Sequence, residues 1–166
     1  MYQPYPTGGQ PPTAPPQMHA PRPVMMAVRL MYAGAALTVV WFVASLLSLS
    51  AVKAAVHKAS PNLTAHQISN LGTALVAVST FLAVVGLALW ILMAWGNRGG
   101  KNWARIVATV LFGLFTVYVL LSLVQPHSAF SLLLVAVTWL VGLGATLFLW
   151  QRDSTAYFGA MSGRQG

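Results

Sequence analysis

Residues 71–95 read LGTALVAVSTFLAVVGLALWILMAW, 25 residues without one charged side chain. A helix of that length rises about 37 Å, enough to cross a hydrocarbon core of about 30 Å. Three further runs share this character, at residues 30–52, 106–124 and 130–150. Every Lys, Arg and Asp lies outside the four runs. The sequence therefore predicts an all-α integral membrane protein, an antiparallel four-helix bundle joined by short loops.

Composition agrees. The chain of 166 residues is 57% hydrophobic and 6% charged. Soluble domains carry about 25% charged residues, and a chain this apolar could not cover a water-facing surface. The length leaves room for one membrane domain, expected over residues 24–158, and no second folded domain. Nine basic residues face one acid, Asp153. The basic residues stand singly at the ends of the runs, the pattern of topogenic charge and of attraction to anionic lipid headgroups rather than of nucleic-acid binding. Cysteine is absent, which excludes disulfides, thiolate metal sites and a cysteine nucleophile.

Residues 1–23 hold eight prolines, at Pro4, Pro6, Pro11, Pro12, Pro15, Pro16, Pro21 and Pro23. Too little apolar surface is present to offset the entropy of folding, so a disordered tail with polyproline character is expected. The segment Pro12-Thr13-Ala14-Pro15 fits a PxxP ligand, so the tail could dock a protein partner. The polar start and long first run do not resemble a cleaved signal, and the first span is expected to remain in the mature protein. Helical pattern continues from Val24 past the first run to Lys58, implying one helix about 50 Å long. Ser60-Pro61-Asn62 ends it. Thr64 and Gln67 then have the spacing of a capping box, which starts the second helix at Ala65. Gly96, Gly99 and Gly100 make a tight turn before the third span. After Trp150, Gln151 to Ser154 are expected to cap the last helix, Tyr157 and Phe158 to lie at the headgroups, and residues 159–166 to be flexible.

Orientation follows from the basic residues. Arg22, Arg29, Arg98, Lys101, Arg105, Arg152 and Arg164 fall on one side, and Lys53 and Lys58 on the other. Seven against two places both termini and the middle loop in the cytoplasm. Tyr32, Trp95, Trp103 and Trp150 then sit at that interface, where amphipathic rings prefer to lie.

Chemistry is sparse. No ionisable Asp, Glu, Lys, Arg or His lies inside a span, which argues against carboxylate-coupled pumps. No paired carboxylates, HExxH or Ser/His/Asp set is present, so no enzyme is expected. The hydroxyls within the spans, at Thr38, Ser45, Ser48, Thr73, Ser79, Thr80, Thr109, Thr116, Tyr118, Ser122, Thr138 and Thr146, are expected to bond to their own helices or neighbours. Small residues recur at four-residue spacing: Gly34 and Thr38, Thr109 and Gly113, and Thr138, Gly142 and Thr146. Such stripes allow close helix packing, either within one bundle or between protomers of a homo-oligomer. His57, His66 and His127 fall on one side and are the only candidates for a metal ion, but without an acid or thiol they lack a recognised ligand pattern. No metal or cofactor is expected. Arg98, Lys101, Trp103 and Arg105 form a basic aromatic cluster suited to an anionic lipid headgroup.

The runs Gly99-Gly100-Lys101-Asn102-Trp103-Ala104-Arg105-Ile106, Leu149-Trp150-Gln151-Arg152-Asp153-Ser154-Thr155-Ala156-Tyr157-Phe158 and Arg29-Leu30-Met31-Tyr32-Ala33-Gly34-Ala35 resemble those of small actinobacterial four-span membrane proteins with a Pro-rich N-terminal tail. That resemblance implies a bacterial cytoplasmic membrane and assigns no functional residue. The sequence favours a non-catalytic accessory or protein-interaction component of the cell envelope. A small oligomeric channel or transporter subunit is the alternative.

Overall fold

The computed structural model describes residues 19–124 and 128–163. The chain forms six helices there: α1 (Arg22–Leu47), α2 (Leu49–Ala59), α3 (Ala65–Arg98), α4 (Asn102–Ser122), α5 (Ala129–Leu149) and α6 (Arg152–Ser162). Helices α1, α3, α4 and α5 are each long and apolar enough to cross a membrane. Residues 1–18, which hold most of the proline tail, and His127 lie outside the described residues.

Local sequence explains the helix ends. Thr64 and Gln67 close the expected capping box: the Thr64 N–H donates to Gln67 Oε1 at 2.8 Å, and the Gln67 N–H donates to Thr64 Oγ1 at 3.3 Å. Two orphan donors are thereby satisfied, and α3 begins at Ala65 as expected. Ser128 caps α5 similarly, accepting from the Ser131 N–H at 3.2 Å.

Two expectations are corrected. The long first helix is interrupted at Ser48, which separates α1 from α2. Ser45 donates to the Phe42 carbonyl and Ser48 to the Ala44 carbonyl, both drawing backbone acceptors toward side chains. Such back-bonding bends helices. The second correction concerns the C-terminal segment. Helix α6 runs to Ser162, so residues 159–162 are helical rather than flexible, and Tyr157 and Phe158 are buried against the bundle.

Helix α1 is the centre of the bundle, packed between α3 and α5, with α4 against α5 and the nearby end of α3. Small residues set these approaches. A Cβ on Gly34 would stand 2.6 Å from the Trp90 ring of α3, and one on Gly142 would stand 2.8 Å from the Phe112 ring of α4. Two of the small stripes therefore pack within the chain. Gly113 differs, for a Cβ there would meet nothing within 4 Å.

The start of α1, the α3–α4 turn and α6 share one end of the bundle, here termed basal. The tightest packing is there, where Val24, Ala27, Met31, Met93, Ala94, Leu149 and Phe158 form one buried cluster. Toward the opposite, distal end the helices separate and leave a cavity.

Candidate functional site

Two features stand out, a clasp at the basal end and a cavity at membrane depth. The clasp is built on the α3–α4 turn. Gly100 takes φ +68, the left-handed region that L side chains rarely adopt. Its missing Cβ also makes room for α6, since a Cβ there would stand 2.8 Å from Met161 Cγ and 3.1 Å from Tyr157 Cε1. The Tyr157 hydroxyl donates to the Arg98 carbonyl at 3.2 Å, and the Ser154 hydroxyl to the Phe148 carbonyl at 2.8 Å. Helix α6 is thus tied to α3 and α5. Gly100→Ala is expected to lower stability by about 2 kcal/mol, most of it from the left-handed backbone. Thermal unfolding in detergent checks this, and a midpoint equal to that of the wild type would contradict it.

Arg105 is tucked just beneath the surface, under Trp150. It is 5% exposed, with its guanidinium 3.8 Å from the Trp150 ring centroid and 5.6 Å from that of Phe158. One Nη2–H donates to Thr155 Oγ1 at 3.1 Å, while Nε has no partner among the described residues. Trp150 is held in turn by an Nε1–H bond of 2.9 Å to Thr109 Oγ1. The other three members of the predicted headgroup cluster stay outside. Arg98 and Trp103 are exposed, and Lys101 Nζ lies 4.3 Å over the Trp95 ring. Asp153 falls in the first turn of α6, where a carboxylate complements the helix N-terminus.

Asn97 is not among the residues that the sequence singles out. It is fully buried, its Nδ2 donating to the Met93 carbonyl at 2.8 Å and its Oδ1 unpartnered among the described residues. It shares a helix face with Met93, four residues earlier and also buried, a pairing that only the structure reveals.

The cavity encloses about 660 Å³ between α1, α3, α4 and α5. Its wall is mostly apolar and aromatic, with Phe42, Leu89, Trp90 and Phe112 among the larger groups. Leu82 on α3 and Tyr118 on α4 line it too, and both are strongly exposed, so the mouth opens sideways between these helices. Buried Met31 and Met93 close its basal end. The hydroxyls in the wall behave as the sequence suggested. Thr38, Ser45, Ser79, Thr138 and Thr146 each donate to a carbonyl of their own helix.

The histidines do not gather with these features. His66 Nδ1 lies 3.4 Å from Asn70 Nδ2, and His57 is exposed on α2. Among the described residues no group of three His or acidic side chains could hold a metal ion.

The fold and its four spanning helices define a multi-pass membrane protein. No family model, curated protein or solved structure matches the chain.

Proposed function

We propose that this chain is a non-catalytic accessory component of a bacterial cell membrane that takes a hydrophobic guest from the bilayer into the cavity between its helices. The cavity carries the reading. At about 660 Å³ it falls within the usual range of small-molecule sites, roughly 300–1,000 Å³, and it opens at the depth of the acyl chains. Its wall holds no carboxylate, histidine, lysine or arginine, so it offers neither an acid–base pair nor a nucleophile poised by one. The charge asymmetry of seven basic residues to two supports cytoplasmic termini, with the basal clasp at the cytoplasmic face. The proline tail supplies a second contact, for a protein partner on the same side.

The channel reading has less support. A path through one chain would have to cross the buried Met31, Met93 and Asn97, so conduction would require a route between protomers.

Photo-crosslinking in living cells tests the proposal. Benzoyl-phenylalanine placed at Leu82 or Tyr118, on the rim, is expected to capture a product that Ala83→Trp, which fills the cavity, removes. The same probe at Leu133, exposed and away from the cavity, should give none of it. Equal products from the rim and from Leu133 would sink the idea. Deleting residues 1–18, which leaves α1 and its cap in place, separates any tail-dependent product.

A further inference from the structure

Two tryptophans that line the cavity, Trp41 and Trp90, carry indole N–H groups without a partner among the described residues. The other deep indole shows the contrast. Trp139 lies at the middle of α5 and donates to Thr116 Oγ1 at 3.1 Å. Trp41 is the midpoint of the apolar run 30–52, and Trp90 lies five residues inside the basal end of the run 71–95. Tryptophan favours the membrane interface, where water or headgroups take its N–H. At the depth of Trp41 there is no water, and an unpaired donor is costly, whereas Trp90 lies about 7 Å from the basal end of its run and nearer the interface.

Resting on the guest-binding reading above, we infer that the cavity binds a neutral lipid carrying a carbonyl oxygen, which accepts the indole N–H of Trp41 while its apolar chain lies against Phe42, Leu89, Trp90 and Phe112. Three considerations select this class. The donor requires an acceptor, and a plain hydrocarbon has none. A spanning helix of a partner protein has none to spare either, because its carbonyls are bonded within the helix. A phospholipid keeps its esters at the interface, about 15 Å from the midplane where Trp41 lies. Drawing its charged head inward would bury it in a wall without a counter-charge. A lipid without a charged head can bring its carbonyl to that depth.

Protein labelled with ¹⁵N at tryptophan, in phosphatidylcholine nanodiscs, provides the test. It is titrated separately with a prenyl quinone, with dioleoylglycerol and with hexadecane. At least one carbonyl-bearing probe is expected to move the indole N–H resonance of Trp41 and leave that of Trp139 in place. The quinone and glyceride arms show which source of carbonyl the site prefers. That probe should bind at least tenfold more tightly than hexadecane, and the variant Trp41→Phe should reduce it to the level of hexadecane. Hexadecane binding as tightly as both carbonyl probes would overturn the inference and leave the cavity reading intact. Failure of all three probes to bind would overturn both. The resonance shifts come from unmodified protein, so the test stands even if the variant does not fold.

Discussion

Phe158→Ala should lower stability by about 3–5 kcal/mol, the usual scale for deleting a fully packed aromatic ring. Phe158 is 1% exposed and belongs to the buried cluster that also holds Val24, Ala27 and Leu149. Its ring meets the Tyr157 ring edge-on at 5.7 Å and faces the Arg105 guanidinium. Removal therefore opens a void where α1, α5 and α6 come together, and rigid helix ends can collapse only partly into it. Apolar transfer adds to the packing loss here, because α6 lies beyond the spans and its undocked face would meet water or headgroups. Tyr157→Phe is the matched control. It keeps the ring and deletes only the hydroxyl bond to the Arg98 carbonyl, so about 1 kcal/mol is expected. Denaturant unfolding in mixed micelles, followed by circular dichroism, measures both. If Phe158→Ala and Tyr157→Phe proved equally mild, α6 would not be a docked part of the fold.

The contrast between α3 and α6 shows what could be read from the sequence. The start of α3 depends on two side chains three residues apart, Thr64 and Gln67, and on a long charge-free run. Both signals are local, and both were realised. Helix α6 has no such mark. Its segment carries Arg152, Asp153, Ser154 and Thr155 among apolar groups, a composition that suits a frayed end as well as a docked helix. Docking depends on distant residues: the space left by Gly100, the Arg98 carbonyl and the Arg105 guanidinium. The break at Ser48 lies between these cases. Its serines were visible, but whether a serine bonds back to the helix is decided by its rotamer.

The candidate site divides along the same line. The hydroxyls could be expected to bond within their helices because hydrocarbon offers no alternative, and most do. The cavity could not be read, because it arises from how far α3 and α4 separate beyond the close contact of Gly96 with Ala104. Trp41 and Trp90 resemble any other aromatic residues of a span until that separation is seen. The clasp and the cavity are complementary in this respect. Dense packing at the basal end fixes the helices there and allows them to stand apart distally without losing register.

Arg98→Gln with Lys101→Gln should weaken binding to anionic vesicles on the order of tenfold, whereas Arg105→Met should leave that binding unchanged. The four residues of the basic aromatic turn were equivalent in sequence, and burial separates them. Each basic residue near an anionic surface contributes about 1 kcal/mol, so removing two costs about 2 kcal/mol, tenfold or somewhat more before screening by salt. Arg98 is exposed, and Lys101 rests on Trp95, which is itself 61% exposed, so both charges can face headgroups. Arg105 is enclosed by Trp150 and Phe158 and donates inward to Thr155. Its contribution is to packing. The guanidinium gains from the two rings, but its Nε is unpaired and no carboxylate bonds to it among the described residues. A flexible apolar side chain of similar length can fill such a place at little cost, as buried ion replacements often show. Arg105→Met should therefore unfold within about 1 kcal/mol of the wild type, and Arg105→Ala, which leaves a void beside Phe158, should lose about 2–3 kcal/mol. Co-sedimentation with phosphatidylglycerol vesicles at low and high salt reads the first effect, and denaturant unfolding reads the second. Loss of vesicle binding in Arg105→Met at unchanged stability would mean that the clasp opens at the membrane and presents its buried cation to the lipid.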